Sequence, residues 1–233
     1  MGRSPTRRTA TRTAAPRTEE RRSHTPELIL GAGLLAAACT FAYLRWIRPW
    51  HLVWGATEEE KSRPMVGDDQ IPDPQLDATR AISIAAPATA VWPWLLQMGY
   101  KRAGFYSYRF DNAWSPSPWY ILPEFQRLQV GDIVPTGPGE GFTVKSMEPD
   151  RSLLLVVDQD PLRVSAAILL DQVAQAETRM VGRVRVRFGT GLPVFLYRLL
   201  FDLGDFIMMR KMFIGIKERA ERWATSGGGA ELS

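Results

Sequence analysis

The stretch that most limits what this chain can fold into is "TRMVGRVRVRF", Thr178 to Phe188. Met180, Val184, Val186 and Phe188 fall on one side of an extended chain, with Arg179, Arg183, Arg185 and Arg187 on the other. Alternation with period two belongs to a strand whose two faces meet different surroundings. The four arginines are expected to face water, so only the apolar face needs a cover. Something long and apolar has to supply it.

That element lies at the C-terminal end, in "LPVFLYRLLFDLGDFIMMRKMFIGIKERAERWA". Met209, Met212, Phe213, Ile216, Ala220 and Trp223 recur there at helical spacing and form a wide apolar stripe. Gly204 is expected to divide a short helix from a longer one starting near Asp205. Arg198, Asp202 and Asp205 interrupt the apolar run, so this is not a membrane span. Upstream, "ATRAISI", "VGDIVPT", "GFTVKSME", "SLLLVVD" and "RVSAAILLDQV" read as strands separated by Gly, Pro or Asp. "APATAVWPWLLQMG" reads as a short helix opened by Pro87, kinked at Pro93 and stopped by Gly99. A sheet with one long helix on its dry face is an α+β layered fold.

Charge is unevenly placed along the chain. Up to Pro26 there are seven Arg against two Glu, whereas the rest holds 22 Lys+Arg against 23 Asp+Glu. The near-neutral remainder argues against a nucleic-acid-binding domain, and no nucleic-acid partner is expected. Residues 1–27 are too poor in apolar side chains to offset their chain entropy and read as a disordered Arg-rich tail, as do residues 226–233. Between the tail and the strands, "LILGAGLLAAACTFAYL" runs from Leu28 to Leu44 without a charge. Extended to Arg48 by snorkelling arginines, with Tyr43, Trp46, Trp50 and Trp54 as an aromatic belt, residues 28–48 read as a single transmembrane anchor. The arginine excess upstream places the tail in the cytoplasm and the domain outside. Residues 49–76, with Pro64, Gly67, Pro72 and Pro74, read as an extended connector to a domain over 77–225.

Scarce residues exclude chemistry. Cys39 is the only cysteine, so neither an intrachain disulfide nor a thiolate cluster can form. His24 and His51, the only histidines, precede the domain, which leaves it without a Ser-His-Asp triad, a His-rich zinc site or a His base. No metal or other cofactor is expected, and no catalytic residue is assigned.

Five of the eleven residues in "GFYSYRFDNAW", Gly104 to Trp114, are aromatic, with Arg109 and Asp111 among them. Rings beside polar tips suit the wall of a small-molecule pocket. Together with "WHLVWGATEEE", "TRAISIAAPATAVWPWLLQMG", "LPEFQRLQVGD" and "MMRKMFIGIKERAE", this stretch resembles the SRPBCC superfamily, over about Trp50 to Trp223. That superfamily groups START lipid-binding domains, polyketide cyclases and the birch pollen allergens, and the nearest resemblance is to bacterial members, membrane-anchored or soluble, mostly of unassigned function. The resemblance implies a helix-grip fold: a curved antiparallel sheet wrapped around a long C-terminal helix, with a hydrophobic-ligand cavity between them. It departs from the pattern at Arg109, where relatives often carry an acid.

The functional expectation is a membrane-anchored module that binds an apolar small molecule, lipid-like or polyketide-like. Phe105, Tyr106, Tyr108, Trp114 and Trp119 would supply ring surface to the site. Asp111, Asn112 and Glu124 would supply polar contacts, and Met209 and Met212 an adaptable wall. The alternatives are a cyclase or dehydratase acting on a bound polyketide with Tyr, Arg or Glu, and a protein-interaction domain using the same groove.

Overall fold

The computed structural model describes residues 25–159, 162–189 and 192–227, and the chain divides into two units between Leu44 and Arg45. Most of the N-terminal tail and the last six residues, both expected to be disordered, lie outside the described residues. In the first unit, helix α1 spans Thr25–Ala42 with Leu30, Leu34, Leu35 and Phe41 exposed. No helix among the described residues is long and apolar enough to cross a membrane. The anchor expected over residues 28–48 is therefore not supported, and the reason is local. The uncharged part of α1, residues 28–42, measures about 22 Å, short of a hydrocarbon core of about 30 Å. A π-helical turn, Tyr43–Ile47, follows it.

The residues expected to complete the anchor do other work in the second unit. Helix α2, Arg48–Leu52, places Arg48 Nε 2.5 Å from Asp202 Oδ2. Trp50 meets Phe206 edge-on at 5.4 Å, and Arg210 lies over the Trp54 ring at 5.2 Å. An arginine bound to an aspartate is not extended toward head groups, and these tryptophans are packed onto the domain.

His51 departs from expectation as well, being fully buried with its ring 5.1 Å from Phe206. Burial lowers its pKa below the ordinary 6.5; Asp202 pulls the other way, while Arg80 and Arg48 lower it further. Above pH 6.5 both folded and unfolded chains hold a neutral His51, so stability there is complete. Below it the unfolded chain takes a proton that the folded chain refuses, and stability falls. Thermal unfolding should show a midpoint that drops from about pH 7.5 to about pH 5.5, and His51→Gln should shrink that drop. An equal drop in both proteins would show that His51 contributes nothing.

Six strands form one antiparallel sheet: β1 (Leu76–Ile84), β2 (Ile133–Gly137), β3 (Glu140–Glu148), β4 (Ser152–Gln159), β5 (Leu162–Ala174) and β6 (Glu177–Phe188), in the order β1-β6-β5-β4-β3-β2. Each strand expected from the sequence is present. Helix α3 (Glu58–Ser62) precedes the sheet, α4 (Ala88–Leu96) follows β1, and α5 (Leu192–Thr225) ends the chain. This is an α+β helix-grip arrangement. Helix α5 runs unbroken through Gly204, where a division was expected. A helical glycine costs about 1 kcal/mol, less than the apolar face of α5 gains by lying on the sheet.

The inner face carries the main core. Phe213, Ile216 and Ala220 of α5 are fully buried with Met180, Ile84, Leu153 and Trp94. Gly182 of β6 lets the helix come close: a Cβ there would stand 2.4 Å from Met209 Cε and 2.6 Å from Phe213 Cζ.

The outer face is not wet. Arg183 is buried, donating to Thr79 Oγ1, to Asp68 Oδ2 and to the backbone carbonyls of Glu60, Lys61 and Arg63. Arg179 pairs with Glu60, and Arg185 donates to the Asp68 carbonyl. Met65 packs beside Ala81, Leu154, Ala167 and Val181 in a second, smaller core. Residues 57–70, which read as connector, thus lie across the outer face, starting at a Thr57–Glu60 capping box. Only Arg187 of the four is exposed.

Candidate functional site

The two halves of α5 meet the sheet differently. The C-terminal half fills the core, whereas Phe201 to Met212 border an open volume of about 490 Å³. Phe142, Leu155, Ala166, Ile168 and Val184 supply the sheet side of this cavity. Phe201, Met208, Met209 and Met212 supply the helix side, and Phe105, Ser107, Phe110 and Asp111 the loop side. A second lobe of about 380 Å³ shares Phe142, Ala166, Val184, Phe201 and Asp205, and reaches Val157, Leu162 and Tyr197. Small residues on β5 and β6, opposite flexible methionines, leave this space unfilled.

Of the ten residues singled out from the sequence, four come together in the cavity wall: Phe105, Asp111, Met209 and Met212. The other six stand elsewhere. Tyr106 is buried in the core, and Tyr108 is exposed with its ring stacked on Phe110 at 5.7 Å. Asn112 is buried behind the loop, and Trp114 points outward at 75% exposure. Trp119 lies 4.2 Å from the Arg219 guanidinium, and Glu124 is exposed in the short turn Pro123–Phe125.

Tyr106 shows why neighbours in this stretch part ways. Its hydroxyl donates to the Trp94 carbonyl at 2.8 Å, one of the backbone acceptors that the end of α4 leaves open. Arg102 donates to the Leu96 carbonyl and Gln126 to the Pro93 carbonyl, so the loop finishes the helix with side chains. Burial raises the Tyr106 phenol pKa far above its usual value. The backbone of Tyr106 has φ +58°, and Gly215 of α5 makes room for it: a Cβ on Gly215 would lie 2.5 Å from the Tyr106 carbonyl oxygen. Arg219 stacks on the same ring at 4.8 Å and donates to the carbonyls of Pro118 and Ser117, binding the loop to α5. Tyr106 is a fastener and Tyr108 is free of the core.

Asp111 works chiefly on its own loop. Its Oδ2 accepts from the backbone N–H groups of Ser107 and Tyr108, each at 3.2 Å, and from the Ser107 hydroxyl. Sequence reasoning did not assign Asp205. It stands in the wall of both lobes, with Oδ2 2.6 Å from Arg80 Nη1. A signal was available, since Phe201, Asp205 and Met209 follow one another at i, i+4 on the inward stripe. An acid on that stripe needs a partner indoors.

No protein-family model matches this chain, and no curated protein does either. Solved structures resemble it more loosely. Zhui aromatase/cyclase from Streptomyces sp. R1128 is 14% identical, with a TM-score of 0.42 over 66% of this chain and 98% of that one. A START superfamily protein from Mycobacterium smegmatis is 10% identical, with a TM-score of 0.37 over 63% of this chain and 97% of that one.

Proposed function

We propose that this chain binds an apolar small molecule, lipid-like or polyketide-like, in the space between the sheet and α5. The observation that carries the reading is the cavity of about 490 Å³, walled by methionine, phenylalanine and aliphatic side chains. Its size is that of a small-molecule site, and its few polar groups are of the kind that orient a bound ligand. Among the described residues no histidine, lysine or arginine lines it. The membrane anchor forms no part of the proposal.

Native mass spectrometry of the full chain, purified from two unrelated hosts, tests this reading. A noncovalent apolar mass is expected on a fraction of the protein, released on mild activation. A bare spectrum from both hosts, together with no fluorescence gain for Nile red, would overturn it.

A further inference from the structure

The chemistry of the wall narrows the class of molecule, an inference that rests on the cavity being a binding site. Among the described residues, each side chain lining either lobe that carries a charge at neutral pH is a carboxylate: Asp111, Asp205 and Glu140. Asp205 is the one common to both lobes. Its Oδ2 is taken by Arg80, which is fully buried and held in place by donating also to the His51 carbonyl at 2.9 Å. Its Oδ1 is the carboxylate oxygen that the Arg80 contact leaves over, on a side chain that is 16% exposed. Asp111, at the loop side, differs: its Oδ2 is occupied, and its partnerless Oδ1 is sealed against Gly104, where a Cβ would stand 2.7 Å from it.

We propose that the occupant is a neutral apolar molecule bearing a hydroxyl or N–H donor, received by Asp205 Oδ1, and that carboxylate and phosphate heads are excluded. An acceptor left without a donor in an apolar wall is costly, and a ligand donor removes that cost. A ligand anion would meet acidic groups with no cation in the wall to offset them, because the charge of Arg80 is already spent on Asp205. The arrangement selects by hydrogen-bond polarity as well as by shape.

Displacement of Nile red from the full chain, using three ten-carbon probes, tests this. 1-Decanol and 1-methoxynonane are isomers that differ in owning or lacking an O–H donor, and decanoate carries the anion. Decanol should displace the dye at a concentration about tenfold lower than the ether, although its hydroxyl costs more to desolvate. Decanoate should be weaker than decanol by at least about tenfold. In Asp205→Asn the amide oxygen can still accept from Arg80 and the NH₂ turns to the cavity, so the decanol advantage should shrink to within about twofold. Equal displacement by decanol and ether in the unaltered protein would overturn the inference and leave binding intact. Decanoate matching decanol would do the same. Failure of the dye to bind at all would remove the binding reading and the inference together. The unaltered protein decides these outcomes whether or not the variant folds.

Discussion

Tyr106→Ala is expected to lower the unfolding free energy by about 3–5 kcal/mol, the range for removing a large buried aromatic. Tyr106 is 3% exposed, meets Trp94 edge-on at 6.1 Å and supplies the donor for the Trp94 carbonyl. Its removal leaves a void under α4, an open backbone acceptor and an Arg219 stripped of one stacking face. Tyr108→Ala, two residues on, should cost less than about 1 kcal/mol, because that ring is 42% exposed and touches mainly Phe110. Urea titrations of the two variants provide the comparison. Equal losses would show that the loop does not divide its aromatics between core and rim.

Asp205→Ala should also cost about 3–5 kcal/mol, for a different reason. Arg80 is fully buried on the inner face of β1, and the substitution strands its charge without a counter-ion. Adding Arg80→Met should restore at least half of the loss, since an apolar side chain of similar reach suits that position. Strict additivity in this double-mutant cycle would mean that the two groups are not energetically coupled.

How much of this was readable beforehand depended on whether a residue's partner was written in the same stretch. The strands and α5 announce themselves through their own periodicity, and Met209 and Met212 reach the cavity because they sit on that stripe. Arg183 misled because three of its five acceptors are carbonyl oxygens, of Glu60, Lys61 and Arg63, more than a hundred residues away. Backbone oxygens have no side-chain signature, so an arginine alternation reads as wet whenever main chain is what covers it. The Thr57–Glu60 capping box was the one local hint that the acidic segment folds. Tyr106 and Tyr108 differ by a backbone turn at φ +58°, a conformation that nothing in "GFYSYRF" requires. The anchor lacks support on two counts: its uncharged run is short, and Arg48 and Trp50 find Asp202 and Phe206 on a helix far along the chain.

Asp202 and Asp205 stand nearly one turn apart on α5, and each grips a different part of the second unit, Arg48 of α2 and Arg80 of β1. That turn is riveted on two sides. A bulky guest that strains the cavity cannot lift this part of the helix without opening two ion pairs, one of them fully indoors at its arginine. On the opposite bank the Tyr106 fastener holds the base of the loop, and only the rim rings of Tyr108 and Phe110, 42% and 51% exposed and stacked on each other, stand outside it. If a guest is bound, the part of the wall left to adjust is that rim, while the riveted turn of α5 and the Tyr106 fastener keep their places.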